Sequence, residues 1–274
     1  MKEICIYASD LAVITGHNTY QTLDELMYKL WERNFRSDYM ECITSIQSEG
    51  QEVVQETKQD YIQRITKEYN IEDAEKMMEE CLKAADVKEL ETKQQKILTS
   101  LKDIPKHERK LLKECIKSET NTNFGTRNEN IGLNEYKNQT GENVKQLDRF
   151  FKKSLYKTKR HLWSLGGRID GINETEDTII EIKNRVKRLF YNLRDYEKIQ
   201  VYAYMYILNV NDSRLVECYK EGKTCDINII DIPYEISYWK TEIDTKIQRF
   251  IKQFERFLKS NELKKQLITK LFVA

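Results

Sequence analysis

The clearest alternation of apolar and polar positions lies in Thr178–Lys183 and predicts a β-strand. Ile180 and Ile182 share one face, and Glu181 and Lys183 share the other, because side chains two residues apart in a strand point the same way. Residues 165–170 predict the partner strand, and the polar residues 173–177 that follow predict a turn. The resulting hairpin sets Asp170 beside Glu181.

Apolar residues at helical spacing predict helices over most of the remaining chain. A capping box at Thr22–Glu25 opens a helix, preceded by a short helix with Ser9 as its N-cap and Gly16 at its end. Residues 36–120 predict three to five antiparallel helices with breaks near 50, 70 and 105. The remaining predicted elements are a helix over Phe124–Gln139, a first strand within Glu142–Ser154, a hairpin of Leu215–Tyr219 with Cys225–Ile230, and a long amphipathic helix over Glu235–Lys259.

Composition narrows the functional classes. The chain has 274 residues and a net charge of +1, so attraction to nucleic acid needs a local basic patch. The sequence offers no signal peptide and no apolar run of about 18 residues, so we expect no membrane span. Six cysteines without a Cys-x-x-Cys pair argue against a zinc ribbon and favour a reducing, intracellular location in cytoplasm or nucleus.

Asp170, Glu181 and Lys183 together suggest phosphodiester chemistry. Carboxylate oxygens are the ligands that Mg²⁺ prefers, and the metal polarises a phosphoryl oxygen and lowers the pKa of a bound water. Lys183 would orient that water or offset developing charge. The tripeptide Glu-x-Lys recurs six further times in this charge-rich chain. Only the copy at Glu181 follows an aliphatic strand with an Asp-Gly partner, and that context carries the signal.

These motifs, in this order, resemble the core of the PD-(D/E)xK nucleases, in the branch that includes the RecB nuclease domain and lambda exonuclease. The residues that carry the resemblance are Gly167–Gly171, Ile179–Lys183, Gln200 and Tyr204. Two further stretches are similar to the YqaJ-type viral recombinases: Phe124–Glu129 with Tyr136 and Thr140-Gly141, and Ala8–Ala12 with Gly16 and Asn18–Tyr20.

The resemblance implies an α/β fold with a restriction-endonuclease-like core, in which a mixed central sheet is flanked by helices. Residues 1–35 would form the N-terminal helical part of the nuclease domain. Residues 121–274 would form the core with a C-terminal helix. Residues 36–120 exceed the connection that the family needs, so they predict an inserted helical subdomain.

The resemblance also implies roles for individual residues. Asp170, Glu181 and Glu129 would hold Mg²⁺ or Mn²⁺, Lys183 would handle the attacking water, and Gln200 would position the catalytic groups. The N-terminal region and the Tyr of the Gln-x-x-x-Tyr motif would lie near DNA. Together with the basic residues around the core, the candidate nucleic-acid contacts are Ser9, Arg168, Arg185, Lys187, Arg188, Arg194 and Tyr204.

We therefore expect a metal-dependent DNA nuclease, with a 5'-to-3' exonuclease acting on double-stranded ends in recombination, repair or viral genome processing as the favoured form. A single-strand annealing protein is a candidate partner, and the chain is a candidate to form a homo-oligomer. A site of viral DNA replication is a candidate location. Two alternatives stay open. One is an endonuclease or RNA-cleaving nuclease on the same core. The other is a non-catalytic nucleic-acid-binding module, which would not need the full set of catalytic residues.

Overall fold

The computed structural model describes residues 1–71, 73–147 and 149–273. Two mixed β-sheets run through it. The strands, in chain order, are β1 (Lys2–Tyr7), β2 (Val144–Gln146), β3 (Phe150–Lys157), β4 (His161–Arg168), β5 (Gly171–Asn173), β6 (Thr178–Asn184), β7 (Asp212–Glu221) and β8 (Thr224–Pro233).

Helices surround both sheets. In chain order they are α1 (Leu11–Ile14), α2 (Leu23–Asn34), α3 (Arg36–Ser48), α4 (Lys58–Glu68), α5 (Ala74–Leu82), α6 (Val87–Ser100), α7 (Lys106–Arg127), α8 (Glu129–Thr140), α9 (Asp195–Leu208), α10 (Ile236–Tyr238), α11 (Thr245–Phe257) and α12 (Asn261–Phe272). A π-helical segment, Trp239–Asp244, joins α10 to α11. Within the described residues, no helix combines the length and apolar character needed to cross a lipid bilayer.

The first sheet has the order β1-β4-β3, with β1 parallel and β3 antiparallel to β4. The second has the order β2-β5-β6-β7-β8, in which only β6 and β7 are parallel. The predicted α/β class with a mixed sheet flanked by helices is thus confirmed. The predicted hairpin of residues 215–230 is confirmed as β7 and β8, which extend further at both ends.

Three local predictions were wrong. Residues 165–168 belong to β4 and pair in the first sheet, so the hairpin partner of β6 is the three-residue strand β5. The first strand predicted within residues 142–154 is two strands, β2 and β3, in different sheets. The helix predicted over Phe124–Gln139 is divided at Asn128, where α7 ends and α8 begins.

The N-terminus also differs from its prediction. Residues Lys2–Tyr7 form the unpredicted strand β1, whose alternate isoleucines, Ile4 and Ile6, are fully buried. Ser9 does not cap a helix, because it lies inside a 3-10 turn, Ala8–Asp10. The capping box at Thr22 is confirmed, since its side chain accepts a hydrogen bond from the amide of Glu25, whose carboxylate accepts one from the Thr22 amide.

The main hydrophobic core joins the first sheet and helices α2, α3, α9, α11 and α12 to one face of the second sheet, which contributes Ile179, Leu215 and Ile232. Helix α9 is apolar on nearly all sides and buries most of its residues, as expected of a helix enclosed by its neighbours. A second core, built from buried residues between Ile62 and Phe124, holds α4 to α7 together. Helix α3 contributes to the main core, so residues 62–124 form the separately packed helical subdomain. The boundaries predicted at 36 and 120 stay predictions.

Candidate active site

Strand β6 carries the central pair of charged residues. Its Ile180 and Ile182 are buried in a small core beneath α8. Gly132 allows this close approach, because a Cβ there would lie 2.7 Å from Ile182 Cγ2 and 2.6 Å from Cys218 Sγ. Since β6 has its apolar side fixed against α8, Glu181 and Lys183 point to the opposite side, as the alternation predicted.

Asp170 reaches the same place from the bend between β4 and β5. Its Oδ2 accepts a hydrogen bond from the backbone amide of Ile182 at 2.8 Å. Its own carbonyl accepts one from the amide of Leu147 at 3.2 Å. These bonds fix the carboxyl group beside Glu181, so the predicted juxtaposition is present although the strand pairing behind it is different.

Lys183 is held by two acceptors. Its ammonium donates to Glu181 Oε1 at 2.7 Å and to Gln200 Oε1 at 3.1 Å. Gln200 in turn donates from Nε2 to the hydroxyl oxygen of Tyr204 at 2.7 Å, since the two residues lie one turn apart on α9. The Lys183 side chain is 23% exposed and that of Glu181 only 4%. The ammonium is therefore oriented by protein groups, while the Lys183 side chain keeps part of its surface exposed.

Tyr204 packs closely against the strand that leads to Asp170. A Cβ on Gly167 would lie 2.6 Å from the Tyr204 ring and 3.2 Å from Ala8 Cβ, so only glycine fits between them. Burial raises the pKa of Tyr204 well above its usual value. The hydroxyl therefore stays protonated and serves as a fixed polar contact for Gln200.

Glu129 is the first residue of α8 and completes an acidic cluster. It lines a cleft of about 160 Å³ together with Asp170, Arg168, Asn130 and Gln146. Burial, and then the charge of Asp170, raises the pKa of Glu129 to about 7. The charges of Asp170 and Lys183 both act on Glu129, so its carboxyl group lies close to theirs.

The other carboxyl groups are perturbed for the same reasons. Burial, reinforced by the charge of Asp170, raises the pKa of Glu181 to about 8 against the opposing effect of Lys183. Burial also raises the pKa of Asp170, although the Ile182 amide and Lys183 oppose it. For Lys183, burial acts to lower the pKa, but the charges of Glu181 and Asp170 outweigh it, so the pKa is raised.

The acidic cluster fits a divalent cation. Among the described residues, Glu181 Oε2 is buried without a hydrogen-bond partner, which is costly for a carboxylate unless a cation satisfies it. In the described part of the chain, no three His, Cys, Asp or Glu side chains are placed to hold a metal by themselves. Mg²⁺ needs no such set, because one or two carboxylates, waters and substrate phosphates complete its octahedron. Asp170 and Glu181 provide that pair, with Glu129 nearby.

The predicted nucleic-acid contacts divide into two groups. Arg168 is exposed and lines the cleft beside Asp170 and Glu129. Ser9 is exposed two residues beyond Tyr7, which pairs with Gly166 near the end of β4 that bears Arg168. Lys187 and Arg188 are exposed in the loop after β6. These four side chains are accessible to a substrate.

Arg185 and Tyr204 are not accessible, and their prediction as nucleic-acid contacts was wrong. The Arg185 side chain is 8% exposed and forms ion pairs with Glu197 at 2.6 Å and with Glu217 at 2.7 Å. Tyr204 is 5% exposed and packed between α9 and β4. Arg194 is half-buried, with its guanidinium 4.0 Å from the centre of the Phe190 ring.

The buried pairs around Arg185 shape the loop after β6. Glu217 accepts hydrogen bonds from the backbone amides of Phe190 and Tyr191, the latter at 2.9 Å. Tyr191 adopts a left-handed backbone conformation with φ of 59° and leaves 71% of its surface exposed. The aromatic side chain thus projects from a loop whose base is fixed in the protein interior.

Two polar residues of the cleft, Asn130 and Gln146, were not predicted as site residues. Asn130 follows Glu129 on α8, and Gln146 lies at the end of β2, from which its amide donates to Asn130 Oδ1 at 2.6 Å. Asn130 could have been inferred from the sequence, because it is the neighbour of Glu129, a predicted metal ligand. Gln146 could not have been inferred, because it reaches the cleft only through the pairing of β2 with β5.

Comparison with known proteins identifies a family for this chain. Residues 65–213, more than half of the chain, match the family described as YqaJ-like viral recombinase domain. An alkaline exonuclease from Laribacter hongkongensis is similar in structure at 15% identity and a TM-score of 0.40, covering 65% of this chain and 84% of that one. The same exonuclease in complex with dAMP gives 13% identity and a TM-score of 0.40, with 67% and 87% covered. A phage-related exonuclease from Haemophilus somnus is similar at 12% identity and a TM-score of 0.32, and the match covers 55% of this chain and 73% of that one. The comparison with curated proteins gives no significant match.

Proposed function

The chain belongs to the family of YqaJ-like viral recombinase domains, and from this premise we propose that it is a divalent-metal-dependent exonuclease that degrades double-stranded DNA from its ends. The 5'-to-3' direction follows from the family resemblance of its motifs. The observation that supports the chemistry is the buried Glu181 Oε2 beside Asp170 and Lys183, which has no hydrogen-bond partner in the described part of the chain.

Asp170 and Glu181 would hold Mg²⁺ or Mn²⁺, with Glu129 completing the acidic cluster. When bound, the metal supplies Lewis-acid stabilisation of the phosphoryl oxygen and acidifies water. The Ile182 amide fixes the orientation of Asp170, which leaves its second oxygen for the cation. Burial and mutual repulsion make it costly to ionise these carboxyl groups together, as their raised pKa values indicate. A bound cation would offset that cost with its positive charge.

Lys183 would act directly on the substrate. Its ammonium lies beside the proposed metal ligand and is aimed by Glu181 and Gln200, so it meets the reacting phosphate in one orientation. A fixed positive charge there stabilises the negative charge that develops on the phosphoryl group. The Gln200–Tyr204 hydrogen bond holds this arrangement in place without contacting the substrate.

The rim residues would bind the DNA backbone. Arg168 at the cleft, Ser9 at the turn after β1, and Lys187 and Arg188 in the loop after β6 present exposed donors. Contacts of this kind position a duplex and carry no sequence information. A nuclease that starts at ends needs this sequence-independent binding.

The test is degradation of linear double-stranded DNA labelled at the 5' or the 3' end, with Mg²⁺ and with EDTA. Wild type is compared with Lys183→Ala and with Lys223→Ala, an exposed lysine of the β7–β8 turn, as the matched control. We expect release of the 5' label that requires Mg²⁺ and Lys183 and is unchanged in Lys223→Ala.

Three outcomes would contradict the proposal in different ways. Cleavage of covalently closed circular DNA at the rate of linear DNA would make the protein an endonuclease. Cleavage of RNA alone would assign it another substrate. DNA binding without cleavage under either metal, unchanged in Lys183→Ala, would identify a binding module that has kept the fold.

A further inference from the structure

A groove of about 760 Å³ runs between the helical subdomain and the loop after β6. One wall consists of residues from α6 and α7, and the other of Val186 and Lys187. The groove is separate from the catalytic cleft, whose lining comes from α8 and the strands around Asp170. It is the place where the helical subdomain meets the catalytic part of the chain.

The groove is positively charged. Lys96, Lys117 and Lys187 line it and are exposed, whereas the one acidic residue among its lining side chains in the described chain is Glu91. Three positive charges less one negative charge leave a local excess of +2, although the whole chain carries only +1. Within the described residues, none of the three ammonium groups forms an ion pair. Their charge is available to a ligand.

The walls of the groove are held in a fixed relation. On the helical side, the buried amide of Gln94 on α6 donates to Thr120 Oγ1 at 2.7 Å and to Asn121 Oδ1 at 2.8 Å on α7. On the other side, Val186 packs against the core of the helical subdomain. The side chain of Asn184, at the end of β6, donates to the carbonyl of Gly125 on α7 at 2.8 Å.

The groove begins close to the catalytic centre. Lys187 is four residues from Lys183, which limits the separation of their Cα atoms to about 14 Å. A phosphate backbone that leaves Lys183 along the loop therefore meets the groove within a few nucleotides. None of the lining side chains in the described residues is aromatic, so the groove offers donors for phosphates and no stacking surface for bases.

We propose that this groove binds the phosphate backbone of the DNA substrate and that the helical subdomain is thereby a second part of the DNA-binding surface. The inference rests on the proposed nuclease function and extends it beyond the catalytic domain. Lys96 and Lys117 supply the contacts from the helical side, and their amide and hydroxyl neighbours, Gln95 and Thr99, add uncharged donors. The binding is independent of sequence and sensitive to salt.

The test measures binding without cleavage. In a Lys183→Ala background, fluorescence anisotropy follows the binding of a labelled 30-base-pair DNA at several salt concentrations. The groove variant is Lys96→Gln with Lys117→Gln. The matched control is Lys102→Gln with Lys113→Gln, two exposed lysines of the same helical region that do not line the groove.

We expect the groove variant to bind about tenfold more weakly at moderate salt and to lower the slope of log K against log salt by about 2, since each lost phosphate contact removes about 1. Equal affinities and slopes in the groove and control variants would overturn the inference. An inactive nuclease would not produce that result, because the assay needs no cleavage.

Discussion

Arg185 provides the sharpest test of how the loop after β6 is built. Its guanidinium donates to Glu197 at 2.6 and 3.0 Å and to Glu217 at 2.8 Å, and all three side chains are buried. In Arg185→Met, the two carboxylates lose their cation in a place that water does not reach. Removing one partner of a buried ion pair costs about 3–5 kcal/mol, and we expect a loss of that size in the free energy of unfolding.

Urea unfolding followed by circular dichroism measures this loss. With a denaturant slope of about 3 kcal/mol per molar, the midpoint of Arg185→Met should fall by about 1–1.7 M. Arg188→Met is the matched control, because it removes the same charge from an exposed position of the same loop. Its free energy of unfolding should stay within about 0.5 kcal/mol of wild type.

A double variant distinguishes the ion pair from packing alone. Glu197→Gln removes one of the two carboxylate charges that Arg185→Met leaves unpaired, so the two substitutions together should destabilise the protein by less than the sum of their separate effects. Strict additivity would argue that the charges do not interact. An unfolding midpoint equal to wild type, with weaker DNA binding, would refute the buried role of Arg185 and return it to the DNA-binding surface.

Three further predictions concern the active site. Gly132→Ala should lower stability by about 1–3 kcal/mol, because the new methyl group meets Ile182; an unchanged melting temperature would refute this close packing. Glu129 and Glu181, with pKa values of about 7 and about 8, must lose protons to bind a cation. The affinity for Mg²⁺ by calorimetry should therefore rise from pH 6 to 9. The folded metal-free protein binds more protons than the unfolded chain, so its unfolding free energy should fall as the pH rises from about 5 to about 8, and a flat profile would contradict the raised values. Gln200→Ala should lower kcat about ten- to a hundredfold through loss of the Lys183 anchor, while a change confined to KM would place Gln200 in substrate binding.

The arrangement of the catalytic strand was predictable because it depends on local periodicity. Alternation alone indicates that Glu181 and Lys183 share a face, and a spacing of four residues on a helix indicates that Gln200 and Tyr204 share one. The structure has both features. The position of Asp170 was predicted from a pairing that does not exist, and it was nevertheless right, because the bend before β5 brings the residue to the same place.

Other features could not be predicted, because they depend on contacts between distant residues. Arg185 reads as one of a run of basic residues, and nothing near it reveals that Glu197 and Glu217 approach it from α9 and β7. Strand β1 joins β4 across more than 150 residues. The division of the helix at Asn128 is a tertiary effect, since α7 packs with the helical subdomain and α8 packs under the second sheet.

The connection between β4 and β5 links the candidate active site to both sheets. Asp170 stands on the short link that leaves the first sheet, and Glu181 belongs to the second. The distance between the two carboxyl groups therefore depends on how the two sheets pack in the core that they share. We expect substitutions in that core, far from any ligand, to weaken cation binding before they unfold the chain, and we expect a bound cation to fasten the two sheets to each other.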